Sequence, residues 1–212
     1  MEHFNANKLS GDVMSISKSG FTLATVNVGA GGTEYTELHS VVLPKKSQPD
    51  WLKEGGRCEF YGALARRLGK TVIVATADTM TQPTEDDDYV NVAQLIGEIC
   101  SPYKYYPRSE NKMALGILLV TVKKAAYLVK LFDAHAVAWS RFVKRGAEVK
   151  IQGMLRNRSY VDNNGDTANM LEIIADPDNC KVLKSAEDND PFAAMKASAS
   201  GGTPATATGP AF

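Results

Sequence analysis

The sequence predicts an all-β chain with minor helix, folded as two five-stranded barrels in tandem and ended by a disordered tail. Three observations carry that expectation. Two blocks, residues 1–83 and 90–183, show the same order of runs, β-β-β-α-β-β. The acidic stretch PTEDDDY, with linker residues 84–89, separates them, and residues 184–212 are dominated by Ala, Ser, Thr, Gly and Pro. Consecutive acids repel and bury no surface, and a tail without large apolar side chains cannot offset the entropy of ordering, so the linker is expected to be exposed and the tail disordered.

In the first block KLSGDVMSIS, GFTLATVNVG, YTELHSVVLP, RCEFYGALARRL and KTVIVATADTM are alternating or β-branched runs, each of strand length. GAGGT and LGK supply turns between neighbours. SQPDWLKEG, with Pro49 and Asp50 near its start and Gly55 at its end, predicts a short helix between the third and fourth strands, with Trp51 anchoring it to the barrel.

The second block repeats the series: NVAQLIGEICS, MALGILLVTVK and YLVKLFDA, then a helix over HAVAWSRFVKRG, then AEVKIQGMLRNRSY and ANMLEIIADPD. Ala136, Trp139, Phe142 and Val143 recur at helical spacing, which places Trp139 and Phe142 on a core stripe, and Gly146 stops the helix. VDNNGD joins the last two strands as a hairpin. Gly62 and Gly153 occupy matching mid-strand positions, where a tightly coiled barrel strand bends. Five short strands with a helix after the third is the order of the OB-fold, so two tandem OB-folds are expected.

Charge narrows the function. The chain carries 24 Lys plus Arg and 24 Asp plus Glu, yet residues 90–183 hold 13 basic against 9 acidic residues while residues 1–83 hold 9 against 8. A local basic excess, not the sum, governs attraction to phosphate. Cys58, Cys100 and Cys180 are widely separated, and no Cys/His spacing indicates a disulfide framework or a metal site. His3, His39 and His135 lie at no recognisable distance from a nucleophile, so neither a catalytic constellation nor a cofactor is expected. GAGGT lacks the Gly-Lys-Ser/Thr ending of a phosphate loop, and DNNGD lacks the distal Glu of a calcium loop. With no signal segment and no membrane-spanning run, a cytoplasmic protein is expected.

What strand four of the second block carries is more specific. Arg156, Arg158 and Tyr160 share one parity and so one face of the sheet. YKYYPR interleaves Tyr103, Tyr105 and Tyr106 with Lys104 and Arg108. Rings stack on unpaired bases and cations neutralise phosphates, so arms of this composition suit single-stranded nucleic acid. The tyrosines can equally pack together as a loop cluster, and each arginine can be simply solvated.

Residues 90–183 resemble the bacterial single-stranded DNA-binding protein family. The resemblance rests on NVAQLIGEI, on VKLF before the helix, on FVKRG closing it, on GMLRNRSYVDNNGD and on LEIIAD. Two strands depart from the family pattern: Ala126 and Tyr127 stand where strand three usually has Trp, and Tyr160 replaces the common strand-four Trp. The resemblance implies sequence-independent coating of single-stranded DNA in replication, recombination or repair, by a homodimer that assembles four folds. It adds Tyr127, Lys130 and Phe132 to the expected DNA-binding set, with Phe132 open between stacking and core. Arg66, Arg67 and Lys70 occupy the corresponding place in the first block and are expected to act by analogy. EDNDPF, with Asp188, Asp190, Pro191 and Phe192, resembles the family's partner-recruiting peptide, and the terminal Phe212 after Pro210 is the other candidate. The alternative reading is an accessory OB-fold module that docks onto replication or recombination proteins and touches DNA weakly. No small-molecule substrate is expected in either.

Overall fold

The structure, a computed structural model, describes residues 2–29, 32–44, 48–84, 86–110, 112–161 and 164–186, with Phe142 described by its backbone only. Strands β1 (Phe4–Ser17), β2 (Gly20–Val28), β3 (Glu34–Val42), β4 (Arg57–Arg67) and β5 (Lys70–Thr81) are followed by β6 (Val90–Ile99), the short β7 (Lys104–Tyr106), β8 (Leu115–Val122) and β9 (Ala125–Phe132). Helix α1 (Asp133–Phe142), β10 (Glu148–Val161), β11 (Thr167–Ala175), a 3-10 turn (Pro177–Asn179) and β12 (Lys181–Lys184) complete the described chain. β7 and β12 are additions that the sequence pattern does not announce.

The pairing closes two circuits. β1 pairs β2, β2 pairs β3, β3 pairs β5 in parallel, and β5 pairs β4, which returns to β1. β6, β8, β9, β11 and β10 repeat the same circuit, again with one parallel pair, β9 with β11. This is the OB-fold pattern, and it removes the free edges that a flat sheet would present. The two first strands also pair with each other: β1 runs antiparallel to β6 from Phe4↔Ile96 to Ser10↔Val90, joining both circuits in one 12-stranded sheet.

Alternation explains the core. Leu118, Val120 and Val122 of β8 point inward and meet Leu95, Val129, Leu131, Ile151, Leu155 and Ile173. Burying one such side chain contributes about 1.5–3 kcal/mol. Ala136 and Trp139 of α1 join that core as their spacing predicts, Gly146 at φ 92° ends the segment, and Val143 is buried just after the helix. Gly62 and Gly153 fall where their strands press on a neighbour: a Cβ on Gly153 would lie 2.0 Å from the Ile174 carbonyl oxygen, and one on Gly62 2.8 Å from that of Val74.

One expected element is corrected. SQPDWLKEG forms no helix in its described part, residues 48–55. Leu52 N–H donates to the Pro49 carbonyl and Gly56 N–H to that of Lys53, two tight turns in succession. Gly55 N–H and the Gly56 carbonyl are both spent on Val13 of β1, at 2.8 Å each, so the backbone is recruited by the barrel rather than by a helical ladder. Leu52 is buried, and the half-buried Trp51 packs against the core as an anchor.

Between β5 and β6, Thr84 and residues 86–89 are exposed but organised. Asp87 caps a turn by accepting from the Thr84 N–H at 2.6 Å and its hydroxyl at 2.9 Å, and these bonds hold its carboxyl below the usual carboxylate range. Arg57 donates to the Thr84 carbonyl and stacks 4.5 Å from the Tyr89 ring, whose hydroxyl donates to Asp12.

His39 is fully buried on β3, its Nε2 3.1 Å from the Thr25 hydroxyl, and burial lowers its pKa from 6.5 to about 4. The folded state therefore favours neutral imidazole, a contribution present above pH 6.5 and lost as pH falls toward 4. Chemical denaturation at stepped pH should show a loss on the order of 3 kcal/mol across that window, and His39→Gln should flatten it. Gly153→Ala should cost about 1–3 kcal/mol in urea unfolding, and Gly62→Ala less, because the carbonyl oxygen facing the new Cβ is 2.0 Å away at Gly153 and 2.8 Å at Gly62.

Candidate nucleic-acid interface

The outer surface of the second circuit follows from its register. Residues directly opposite in a ladder share a face. Leu115 faces Phe132, Ile117 faces Lys130 and Leu119 faces Leu128, all outside the barrel because Leu118 and Val129 point in. The strip continues through Glu172 of β11 to Arg156, its partner on β10. Its floor is thus apolar and half-buried at Leu115, Ile117, Leu128 and Phe132, with one pair of charges set into it.

Two arms flank this floor. β10 outlasts the barrel and carries Arg156, Arg158 and Tyr160 on one face, opposite Glu172, Met170 and Ala168. All three are exposed, Tyr160 at 43%. The tip of this arm, Asp162 and Asn163, lies outside the described residues. On the other side β7 lies along β8, pairing Lys104 with Ile117 and Tyr106 with Leu115, so Lys104 and Tyr106 rise from the same outer face. Lys104, Tyr105, Tyr106 and Arg108 are exposed.

Tyr103 is corrected. Its hydroxyl donates to the Ala136 carbonyl at 2.9 Å, and its ring covers Gly116, where a Cβ would stand 1.8 Å from that hydroxyl. Burial pushes the phenol up to about 12. It is a strut between the β7 segment and α1, while Tyr105 and Tyr106 remain outside.

Tyr127 and Lys130 are corrected too. Tyr127 is 3% exposed and its hydroxyl donates to the Leu64 carbonyl of the other circuit at 2.7 Å, with Asn5 Nδ2 alongside. Lys130, 5% exposed, is ion-paired with Glu172, 2% exposed. A lysine with its charge already matched in the barrel wall has little to offer a phosphate, and removing one member of such a pair typically costs ~3–5 kcal/mol.

Residues absent from the sequence-based set tie the β10 arm to the first circuit. Glu37 of β3 accepts from the Asn157 N–H at 2.9 Å and lies 3.5 Å from Arg156 Nε. Asn157 Nδ2 donates to the Leu38 carbonyl, and the Tyr35 hydroxyl donates to Met154 Sδ at 3.3 Å. Desolvation raises the Glu37 pKa, against the Asn157 N–H and Arg156, which lower it. Arg156 is therefore shared between its arm and a carboxylate across the circuit boundary. Only tertiary structure could reveal this, since the partners are over a hundred residues apart. In the first circuit Arg67 and Lys70 are exposed at the β4–β5 turn, and Arg66 donates to the Thr71 hydroxyl at 3.1 Å. Asp188, Asp190, Pro191, Phe192 and Phe212 lie outside the described residues. No group of three or more His, Cys, Asp or Glu among the described residues is arranged to hold a metal ion, and no described helix is long and apolar enough to cross a membrane.

No protein-family model matches the chain, and no curated protein matches it in sequence. Solved structures do match in fold. The single-stranded DNA-binding protein of Thermus aquaticus in its wild-type form superposes with a TM-score of 0.69 at 15% identity, covering 87% of this chain and 95% of that one. A deletion variant of the same protein gives a TM-score of 0.67 at 15% identity, over 85% and 95%. The chain therefore has the fold of the Thermus aquaticus single-stranded DNA-binding protein, across both circuits and not only the stretch where the sequence resemblance is carried.

Proposed function

We propose that this chain binds single-stranded DNA without sequence preference, with the outer face of its second circuit as the principal contact. The observation that supports it most is the pair of exposed arms, Lys104–Arg108 and Arg156–Tyr160, set on either side of an apolar strip that includes Phe132. Unpaired bases stack on rings and apolar floor, and the flanking cations neutralise phosphates whatever the sequence. The fold likeness to a protein named for this activity supports the same reading.

In this reading the chain divides into OB-fold units 1–83 and 90–183 around the linker 84–89. A homodimer would present four such units. The role is that of a coat on unpaired DNA during replication, recombination or repair in the cytoplasm, with tail residues Asp188, Asp190, Pro191 and Phe192, or Phe212, docking partner proteins. Deleting residues 187–212 would then abolish partner capture while leaving oligo(dT) binding in place.

Titration of the full chain with oligo(dT), followed by intrinsic fluorescence, tests the central claim: tight, salt-sensitive binding with quenching is expected, and duplex binding of equal strength would refute it. Arg158→Ala should reduce the slope of log affinity against log salt by about 0.7. Tyr160→Ala should weaken binding by about 1–3 kcal/mol while keeping the slope. Tyr127→Phe, which removes a bond between circuits, should lower stability by about 1 kcal/mol and leave the salt slope alone.

A further inference from the structure

The two circuits are related residue by residue, and one difference between them opens a cleft. Asn7↔Gly62 in the first circuit corresponds to Ala93↔Gly153 in the second, so β4 and β10 are in register. Ala63 then stands where Met154 does, and Ala65 where Arg156 does. The hairpins that reach across the boundary differ in length. β2 and β3 pair from Gly20↔Val42 out to Val28↔Glu34, and this long ribbon lays Tyr35 and Glu37 onto β10. β8 and β9 stop at Val122↔Ala125, with Lys123 and Lys124 as the whole turn.

The ribbon that would cover β4 is therefore missing, and the residues beneath it are alanines. A cleft of about 800 Å³ results, walled by Ala63, Ala65 and Val122 with Tyr127 on its floor. Exposed Lys123, Lys124 and Arg66 line it, as does Phe4, a ring left 45% exposed. Glu2 and His3 line it as well, beside Phe4.

We propose that this cleft is a second subsite for the same single strand: one nucleotide's base against Phe4 and the alanine walls, its flanking phosphates on Lys123, Lys124 and Arg66. The inference rests on the reading given above and assigns the first circuit its share of the contact. Charge and shape select the occupant. Three cations against the one carboxylate of Glu2, around an apolar recess with an exposed ring, match a flat base carrying anionic linkages, and the volume lies within the ~300–1,000 Å³ of small-molecule sites. A strand held on the second circuit reaches the cleft only if it is long enough to cross the β1–β6 boundary.

The test uses the full chain with oligo(dT) of increasing length. In the double variant Lys123→Asn with Lys124→Gln, Asn tolerates the positive φ of 51° at residue 123. Ala63→Met narrows the cleft with the side chain that stands at the equivalent position of β10. The lysine variant should match wild type on short oligomers, then lose about 1.4 units of salt slope on long ones. Ala63→Met should weaken only long-oligomer binding, as should Phe4→Ala. Wild-type binding with unchanged slopes in the lysine variant overturns the subsite alone. So does a changed oligomeric state of that variant in sedimentation, which would make the cleft a contact between copies. No oligo(dT) binding by the wild-type chain overturns the parent reading and this one together.

Discussion

The antiparallel pairing of β1 with β6 is the constraint on which the rest of the molecule depends. Each of these strands closes its own circuit and also pairs with the first strand of the other, so its backbone groups must be satisfied on both edges along most of its length. β1 pairs β4 along one edge while the other passes from β6 at Phe4–Ser10 to β2 from Asp12 onward. β6 does the same with β10, β1 and β8. Where β1 departs from β4, Asn5 takes over the ladder: its Oδ1 accepts from Leu64 N–H at 2.9 Å and its Nδ2 donates to the Leu64 carbonyl. Asn91 makes the matching pair with Leu155, both at 2.9 Å. Two asparagine amides thus act as extra backbone at equivalent points.

The same two residues lock the hairpins of the opposite circuit. Asn91 also donates to Asn27 Oδ1 at 3.0 Å, and Asn5 reaches the Tyr127 hydroxyl. Around that common scheme the circuits diverge. The first sends a long ribbon over β10 and spends Glu37 and Tyr35 there, whereas the second ends its ribbon early and leaves lysines at the tip. One side of the boundary is closed by an ion pair and hydrogen bonds, and the other is open and basic. The fold repeats; the surface chemistry does not.

This division clarifies the charged groups. Lys130 and Glu172 sit in the barrel wall, where desolvation makes a matched pair tolerable and a single charge costly. Arg156 is half claimed by Glu37, which fixes the arm's root against the first circuit. Arg158 and Tyr160 lie farther along the arm and stay exposed, as do Lys104, Tyr105, Tyr106 and Arg108. An arm anchored at its base and exposed beyond it presents its rings and cations with less conformational freedom to lose on binding.

Alternation and helical spacing are local, so the sequence alone determined the strands of both circuits, α1 with Ala136 and Trp139 inward, the mid-strand glycines and the shared face of Arg156, Arg158 and Tyr160. Non-local pairing decided the rest. Whether SQPDWLKEG coils into a helix depended on Val13 taking its backbone bonds, and that competitor lies more than forty residues earlier. Tyr103, Tyr127 and Lys130 carry side chains suited to nucleic acid, yet Ala136, Leu64 and Glu172 claim them first, because a buried polar group must find a partner wherever the fold supplies one. Composition names what a side chain can do; the three-dimensional neighbours determine whether it remains available to do it.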